Sequence, residues 1–101
     1  MAANDDPAGP ELLRTSRAVI TRRAEGELVL LDTEHDRVYG VEGVGVRILE
    51  LLDEARTVDD VVEVLLTEYD VDADRVRADV RGFIGRLRDR GLVQEADQGR
   101  R

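Results

Sequence analysis

The chain has 101 residues, 38% of them charged and 42% hydrophobic, with no cysteine and a net charge of −8. That length holds one domain around one core. Without cysteine there is no disulfide framework, zinc-thiolate site or thiol chemistry, and a cytoplasmic setting suits such a composition. The longest apolar runs, "LVLL" and "VVEVLL", fall far short of a membrane span, and "MAANDDPAGPELL" lacks the basic and apolar regions of a secretory signal.

Residues 1–16 carry two prolines, a glycine and no periodic pattern, and read as a flexible tail. "RAVITRR" and "ELVLLDT" have the branched and aliphatic composition of strands, with "AEG" as the turn between them. "EHD" makes a second turn and "RVYGV", residues 37–41, a third strand. Two tight connections imply an antiparallel meander, and a small sheet with one apolar face needs a cover.

Three helices supply it. Val44, Ile48, Leu51 and Leu52 recur at helical spacing, which predicts a helix over 43–54. Thr57 and Asp60 form an acidic variant of the capping box ahead of Val58, Val61, Val62, Leu65, Leu66 and Tyr69. Asp72 caps a third helix whose Val76, Val80, Phe83, Ile84 and Leu87 face inward, with Val71 and Val76 placed to close a hydrophobic staple. Gly91 stops that helix, and Leu92 and Val93 fold back on the core. The predicted order is β-β-β-α-α-α, an α+β domain spanning 17–93, with 94–101 as a second tail.

Catalytic groups are scarce. The chain has one serine, Ser16, and one histidine, His35, set in a predicted turn. A nucleophile and base would have no second choice of partner. Asp70, Asp72 and Asp74 resemble the start of a calcium loop. The places that need Gly and Glu hold Arg75 and Arg81, so these acids read as helix caps. The residues call for no metal, no cofactor and no enzyme activity.

All 15 basic residues are arginine, unevenly spread. Residues 1–71 hold 17 acids against 7 arginines (−10), and residues 72–101 hold 6 against 8 (+2). On the third helix Ala78, Gly82 and Gly85 form a strip of small residues, read either as close packing within the domain or as a shelf for another backbone. Arg75, Arg77, Arg81, Arg86, Arg88 and Arg90 run beside it, either as a solvated face with pairs such as Asp74 with Arg77, or as a rim for an acidic ligand. The strand "RVYGV" lies at the edge of the meander, where its unpaired backbone is a template for a guest strand. Gly40 takes one side chain out of a guest's way.

The run from "LVLLDTEHDRVYGVEGVGVRILELLDEARTV" through "EYDVD" to "ADVRGFIGRLRDRGLV" resembles the PqqD-like family, the peptide-recognition domains of ribosomal peptide natural-product pathways. The resemblance covers about residues 17–93 and implies a winged-helix-turn-helix-like fold. It implies a non-catalytic module that binds the leader segment of a precursor peptide antiparallel to the third strand and against the third helix. The peptide-binding positions it implies are Arg37, Val38, Tyr39, Gly40 and Val41 on the strand, and Val76, Asp79, Val80, Phe83 and Arg86 on the helix. Its implied partners are a leader peptidase and cyclase in lasso-peptide pathways, or a radical enzyme in the pyrroloquinoline quinone pathway. Departures from the family pattern are Glu42 where an Asn often opens the first helix, Leu49 in place of an aromatic, and Gly40 in place of a larger residue.

Two other readings use the same residues. In a DNA-binding winged helix the third helix would present Arg77, Arg81 and Arg88 to phosphates, against the acidity of the first 71 residues. In a homodimer the edge strand would pair with its own copy. The peptide reading involves neither nucleic acid nor membrane.

Overall fold

The computed structural model describes residues 11–96. Five strands and three helices follow in the order β1 (Leu13–Thr15), β2 (Val19–Ala24), β3 (Glu27–Asp32), β4 (Arg37–Glu42), α1 (Val44–Leu51), α2 (Val58–Glu68), α3 (Ala73–Asp89) and β5 (Val93–Glu95). The three central strands form the expected antiparallel meander, β2-β3-β4. Leu28 faces Val41, Leu30 faces Tyr39, and Asp32 faces Arg37 across the β3–β4 pair. Burial alternates along β3, so Leu28 and Leu30 enter the core while Val29 and Leu31 lie on the outer face.

The β-β-β-α-α-α order gains a strand at each end, and the tail boundaries move with it. β1 pairs with β5 in a separate two-stranded sheet. The backbone of Leu13 also exchanges bonds of 2.8 and 3.0 Å with Arg56, and Ala96 N–H donates to Leu12 at 2.7 Å. Residues 11–16, read as tail, are therefore part of the domain, and so are Gln94, Glu95 and Ala96. The cause is Leu13, which is 1% exposed; burying one leucine contributes about 1.5–3 kcal/mol. A strand of three residues carries no periodicity to read. The rest of both predicted tails, 1–10 and 97–101, lies outside the described residues.

The turns follow their sequence. Glu25 and Gly26 make the two-residue hairpin between β2 and β3, with Gly26 at φ +72°. Between β3 and β4 the buried Asp32 holds the turn. Its Oδ1 accepts from the N–H of Glu34 (3.0 Å) and His35 (3.2 Å), and its Oδ2 accepts from His35 Nδ1 at 2.9 Å. Ionised Asp32 only accepts, so Nδ1 carries the proton. His35, half exposed, is thus a brace for a buried carboxylate rather than a plain turn residue.

α1 begins at Val44 behind Gly43, whose φ of +66° suits glycine and whose missing side chain leaves the end without a side-chain cap. This is the junction where Glu42 departs from the family pattern. α2 opens with the predicted capping box, Asp60 N–H to Thr57 Oγ1 at 3.0 Å and Thr57 N–H to Asp60 Oδ2 at 3.1 Å. Asp72 caps α3 through the N–H of Arg75 at 3.0 Å. At its far end Leu92 N–H reaches Leu87 O and Gly91 N–H reaches Arg88 O, both at 2.9 Å. These two bonds define a Schellman stop with Gly91 at φ +75°.

Leu30, Leu52, Val61, Val62 and Val80 are all within 1% of full burial and form the centre of an aliphatic core under the sheet. An ion-pair chain ties the layers at the surface. Arg23 on β2 pairs with Glu50 on α1, which also accepts from Arg47 at 3.2 Å. Arg47 in turn grips Glu68 on α2 with bonds of 2.9 and 2.7 Å. Hydrogen bonding to Glu68 holds the Arg47 guanidinium more firmly protonated than usual.

Candidate functional site

One concavity is bordered by apolar side chains that the core does not use. It is a groove of about 550 Å³ between the end of β4, the first turns of α1, the α2–α3 connection and one face of α3. Its walls include Glu42, Val44, Gly45, Tyr69, Val71, Val76, Phe83 and Arg86. Five large hydrophobic residues are exposed among those described: Ile20, Val38, Val44, Tyr69 and Val71. Three of these five line this groove, a concentration that marks a binding surface rather than scattered surface residues.

Beside the groove runs β4. It pairs with β3 on one side, and among the described residues no strand pairs on the other. Its backbone donors and acceptors on that side form an open ladder.

The predicted positions divide between wall, floor and strand. Val76, Asp79, Val80, Phe83 and Arg86 all border the groove. Val80 is 1% exposed and forms its floor. None of Arg37, Val38, Tyr39, Gly40 and Val41 lines the cavity itself; Glu42 is where β4 meets it. Tyr39 and Val41 turn inward and pack against the core, and the Arg90 guanidinium stands 6.0 Å from the Tyr39 ring centre. Val38 is 67% exposed on the outer face.

Gly40 does not open room at the edge. A Cβ there would point along the sheet normal and meet the Glu27 carboxylate at 2.7 Å. The glycine makes space for Glu27, not for a guest in the plane of the sheet. The small strip on α3 also resolves. Nothing lies within 4 Å of a Cβ built on Gly85, and only Arg86 Nη1, at 3.5 Å, lies near one on Gly82. Close packing within the domain does not explain these glycines. Ala78 and Gly82 border the groove, while Gly85 lies outside it.

The glycine that matters most for the groove is Gly45. A Cβ there would meet Val41 Cγ1 at 2.7 Å and Phe83 Cζ at 3.0 Å. Its absence lets α1 seat against both β4 and α3. Glu42, Val44, Gly45, Tyr69 and Val71 join the site from β4, α1 and the α2–α3 connection. The one signal for them was apolar residues, Val44, Tyr69 and Val71, at the ends of helical stripes rather than in their middles.

The arginines of α3 sort by partner. Arg77 pairs with Asp59 on α2 rather than with Asp74 or Asp79 in its own helix, and Arg88 pairs with Glu11 at 2.8 Å. Of the three arginines a DNA reading would place on phosphates, Arg81 alone lacks an acidic partner among the described residues. A duplex-binding face needs several uncompensated cations. No group of acids and histidines among the described residues is arranged to hold a metal, and no helix there is long and apolar enough to cross a membrane.

The site is thus the open β4 edge of a three-stranded sheet, with an apolar groove left beside it by the helices that roof the sheet. The family model described as coenzyme PQQ synthesis protein D (PqqD) matches residues 27–93, and the chain belongs to that family. It is 34% identical over 61 residues to proteins named PqqA binding protein from Rhodopseudomonas palustris strains BisB5 and HaA2. The match covers 60% of each chain, so this chain spans about three fifths of the length of those curated relatives. Among solved structures, TbiB1 in complex with the TbiA(beta) leader peptide superimposes with a TM-score of 0.76 at 33% identity, over 83% of this chain and 99% of that one. The PqqD truncation of Methylobacterium extorquens PqqCD shares the fold, with a TM-score of 0.69 at 24% identity over 88% and 98%.

Proposed function

We propose that this chain is a non-catalytic recognition module that binds the leader segment of a ribosomally made precursor peptide. The leader adds as a further strand on β4, from Arg37 to Glu42, and its side chains enter the groove against α3. The observation that carries this reading is the coincidence of an open strand edge with a groove that collects three of the five exposed large hydrophobic residues. Main-chain bonds along β4 would supply affinity for any extended chain, and the groove would choose among side chains. Relatives named for binding PqqA, and one solved with a leader peptide, support the same reading.

The module would then present the leader to a cytoplasmic modifying enzyme, either a peptidase and cyclase or a radical enzyme. The hairpin and helix pair give it a winged-helix-like outline. Titrating the isotope-labelled full chain with the TbiA(beta) leader peptide tests this directly. We expect saturable amide shifts over residues 37–45 and along the groove face of α3, with affinity in the micromolar to nanomolar range, about −8 to −12 kcal/mol. Absence of saturable shifts, or shifts confined to β2, would overturn the reading. Sedimentation of the free and titrated chain separates peptide uptake from self-pairing of β4 between two copies.

A further inference from the structure

The groove and the strand beside it are charged oppositely at their two ends. Arg37 opens β4 and Glu42 closes it, a separation of about 17 Å along an extended strand. Asp79 on α3 and Arg90 at its C-terminal cap are about 16 Å apart along the helix axis. Arg90 stands over Tyr39, near the Arg37 end. Asp79 and Glu42 border the same groove at the other end. Strand and helix thus match, basic against basic and acidic against acidic.

Few of these charges are closed by ion pairs within the domain, although Arg37 lies opposite Asp32 on β3. Among the described residues, neither Arg37 nor Arg90 has a carboxylate within ion-pair distance, and Asp79 has only Arg75 at a loose 3.9 Å. Glu42 lies directly opposite Glu27 on β3, and like charges paired across a sheet destabilise it. No basic residue among those described pairs with either glutamate. A cation supplied from outside would relieve that repulsion.

We propose that these charged ends select the guest strand by its own charge pattern and fix the direction in which it lies. An antiparallel guest begins beside Glu42 and ends beside Arg37. The preferred segment therefore carries Lys or Arg at its start and Asp or Glu about five residues later, the span set by the strand rise. Apolar side chains between them enter the groove. This inference rests on the leader-binding reading and specifies the class of segment that the site takes.

Two end-capped synthetic peptides of equal composition test it, Lys-Val-Thr-Leu-Thr-Glu and its charge-exchanged form Glu-Val-Thr-Leu-Thr-Lys. Each is titrated into the full chain and also competed against the TbiA(beta) leader peptide. We expect the first to bind roughly fivefold tighter than the second, from two partly exposed ion pairs, and the difference to shrink at high salt. In the variant carrying Glu42→Arg and Arg90→Glu each end holds one charge of each sign, and the preference should be lost. Circular dichroism checks its fold, and Arg37→Glu, on the exposed start of β4, serves as a second variant with the smaller expectation that the preference weakens. Equal binding of the two peptides, failure of either to compete, or a preference that neither variant weakens would overturn the inference even where the leader binds. Failure of the leader itself to bind would instead overturn the function on which it rests.

Discussion

The meander ends in two open edges among the described residues, β2 and β4, and they are built on opposite plans. β2 is exposed along nearly its whole length and carries Arg22 and Arg23. The hollow beside it, about 630 Å³, is bordered by Arg14, Arg17, Arg23, Glu50 and Asp53. The hollow beside β4 is slightly smaller but is walled by Val44, Tyr69, Val71, Val76 and Phe83. Size therefore does not separate the two, and chemistry does. Charged side chains on an edge keep stray strands away. An edge becomes a docking site where helices leave uncommitted apolar surface beside it, because only there does strand addition also bury side chains.

The largest way to break this contrast is to make the β4 side resemble the β2 side. Val44 and Val71 are 47% and 46% exposed, so replacing both with aspartate removes groove surface without opening the core. Each side chain buried by a guest is worth about 1.5 kcal/mol at the low end of the usual range, so V44D with V71D should weaken leader-peptide binding roughly 100-fold. Arg22→Asp on the β2 edge should change it less than about twofold. Calorimetric titration of both variants decides whether the two edges differ in function. Tyr39 and Val41 are poorer targets for such a test, because both pack against the core and their loss would confound binding with folding.

A second pair of substitutions asks what holds the groove in shape. Gly45→Ala places a Cβ at 2.7 Å from Val41 and 3.0 Å from Phe83, so one wall must shift. Overpacking of this kind costs about 1–3 kcal/mol, partly offset by roughly 1 kcal/mol of better helix propensity. We expect a lower urea midpoint together with weaker leader binding, since Phe83 is displaced. Gly85→Ala meets nothing within 4 Å. It should raise stability by roughly 0.5–1 kcal/mol and leave binding unchanged. If the two glycines respond alike, the close seating of α1 against β4 and α3 is not what shapes the site.

The same contrast explains what could be read in the sequence. The meander, the three helices, both side-chain caps and the Gly91 stop are local, each written in neighbouring residues, and each was legible. So was the edge position of "RVYGV", because strand order follows from two tight turns. The groove was legible only in part. Helical spacing showed that Val76, Phe83 and Arg86 share a face, but Val44, Tyr69 and Val71 reach them through packing between elements. The β1–β5 pair, the Arg23–Glu50–Arg47–Glu68 chain and the turn of Arg77 toward Asp59 are likewise meetings of distant segments. Gly40 misled for a different reason. A missing side chain frees space along the sheet normal, and only the register showed that Glu27 already fills it.

The smallest expected effect lies at the start of β4, where Asp32 and His35 brace the turn that sets the edge. Burial alone would raise the Asp32 carboxyl. The hydrogen bonds from the His35 ring and from the backbone N–H of His35 and Glu34 outweigh it, and the carboxyl lies below its ordinary value of 3.8. A carboxyl that is more acidic in the folded chain than in the unfolded one favours folding only while ionised. Its contribution is whole above the ordinary value and fades as pH falls through the lower, folded value. Wild-type stability should therefore decline on acidification below about pH 4, and Asp32→Asn should flatten that decline while lowering stability at neutral pH. Urea unfolding at several pH values reads both, and parallel slopes for the two proteins would remove Asp32 as the source. Arg22→Asp, on the opposite edge, should leave the acid limb as steep as in wild type, because the brace belongs to the turn that leads into β4 alone.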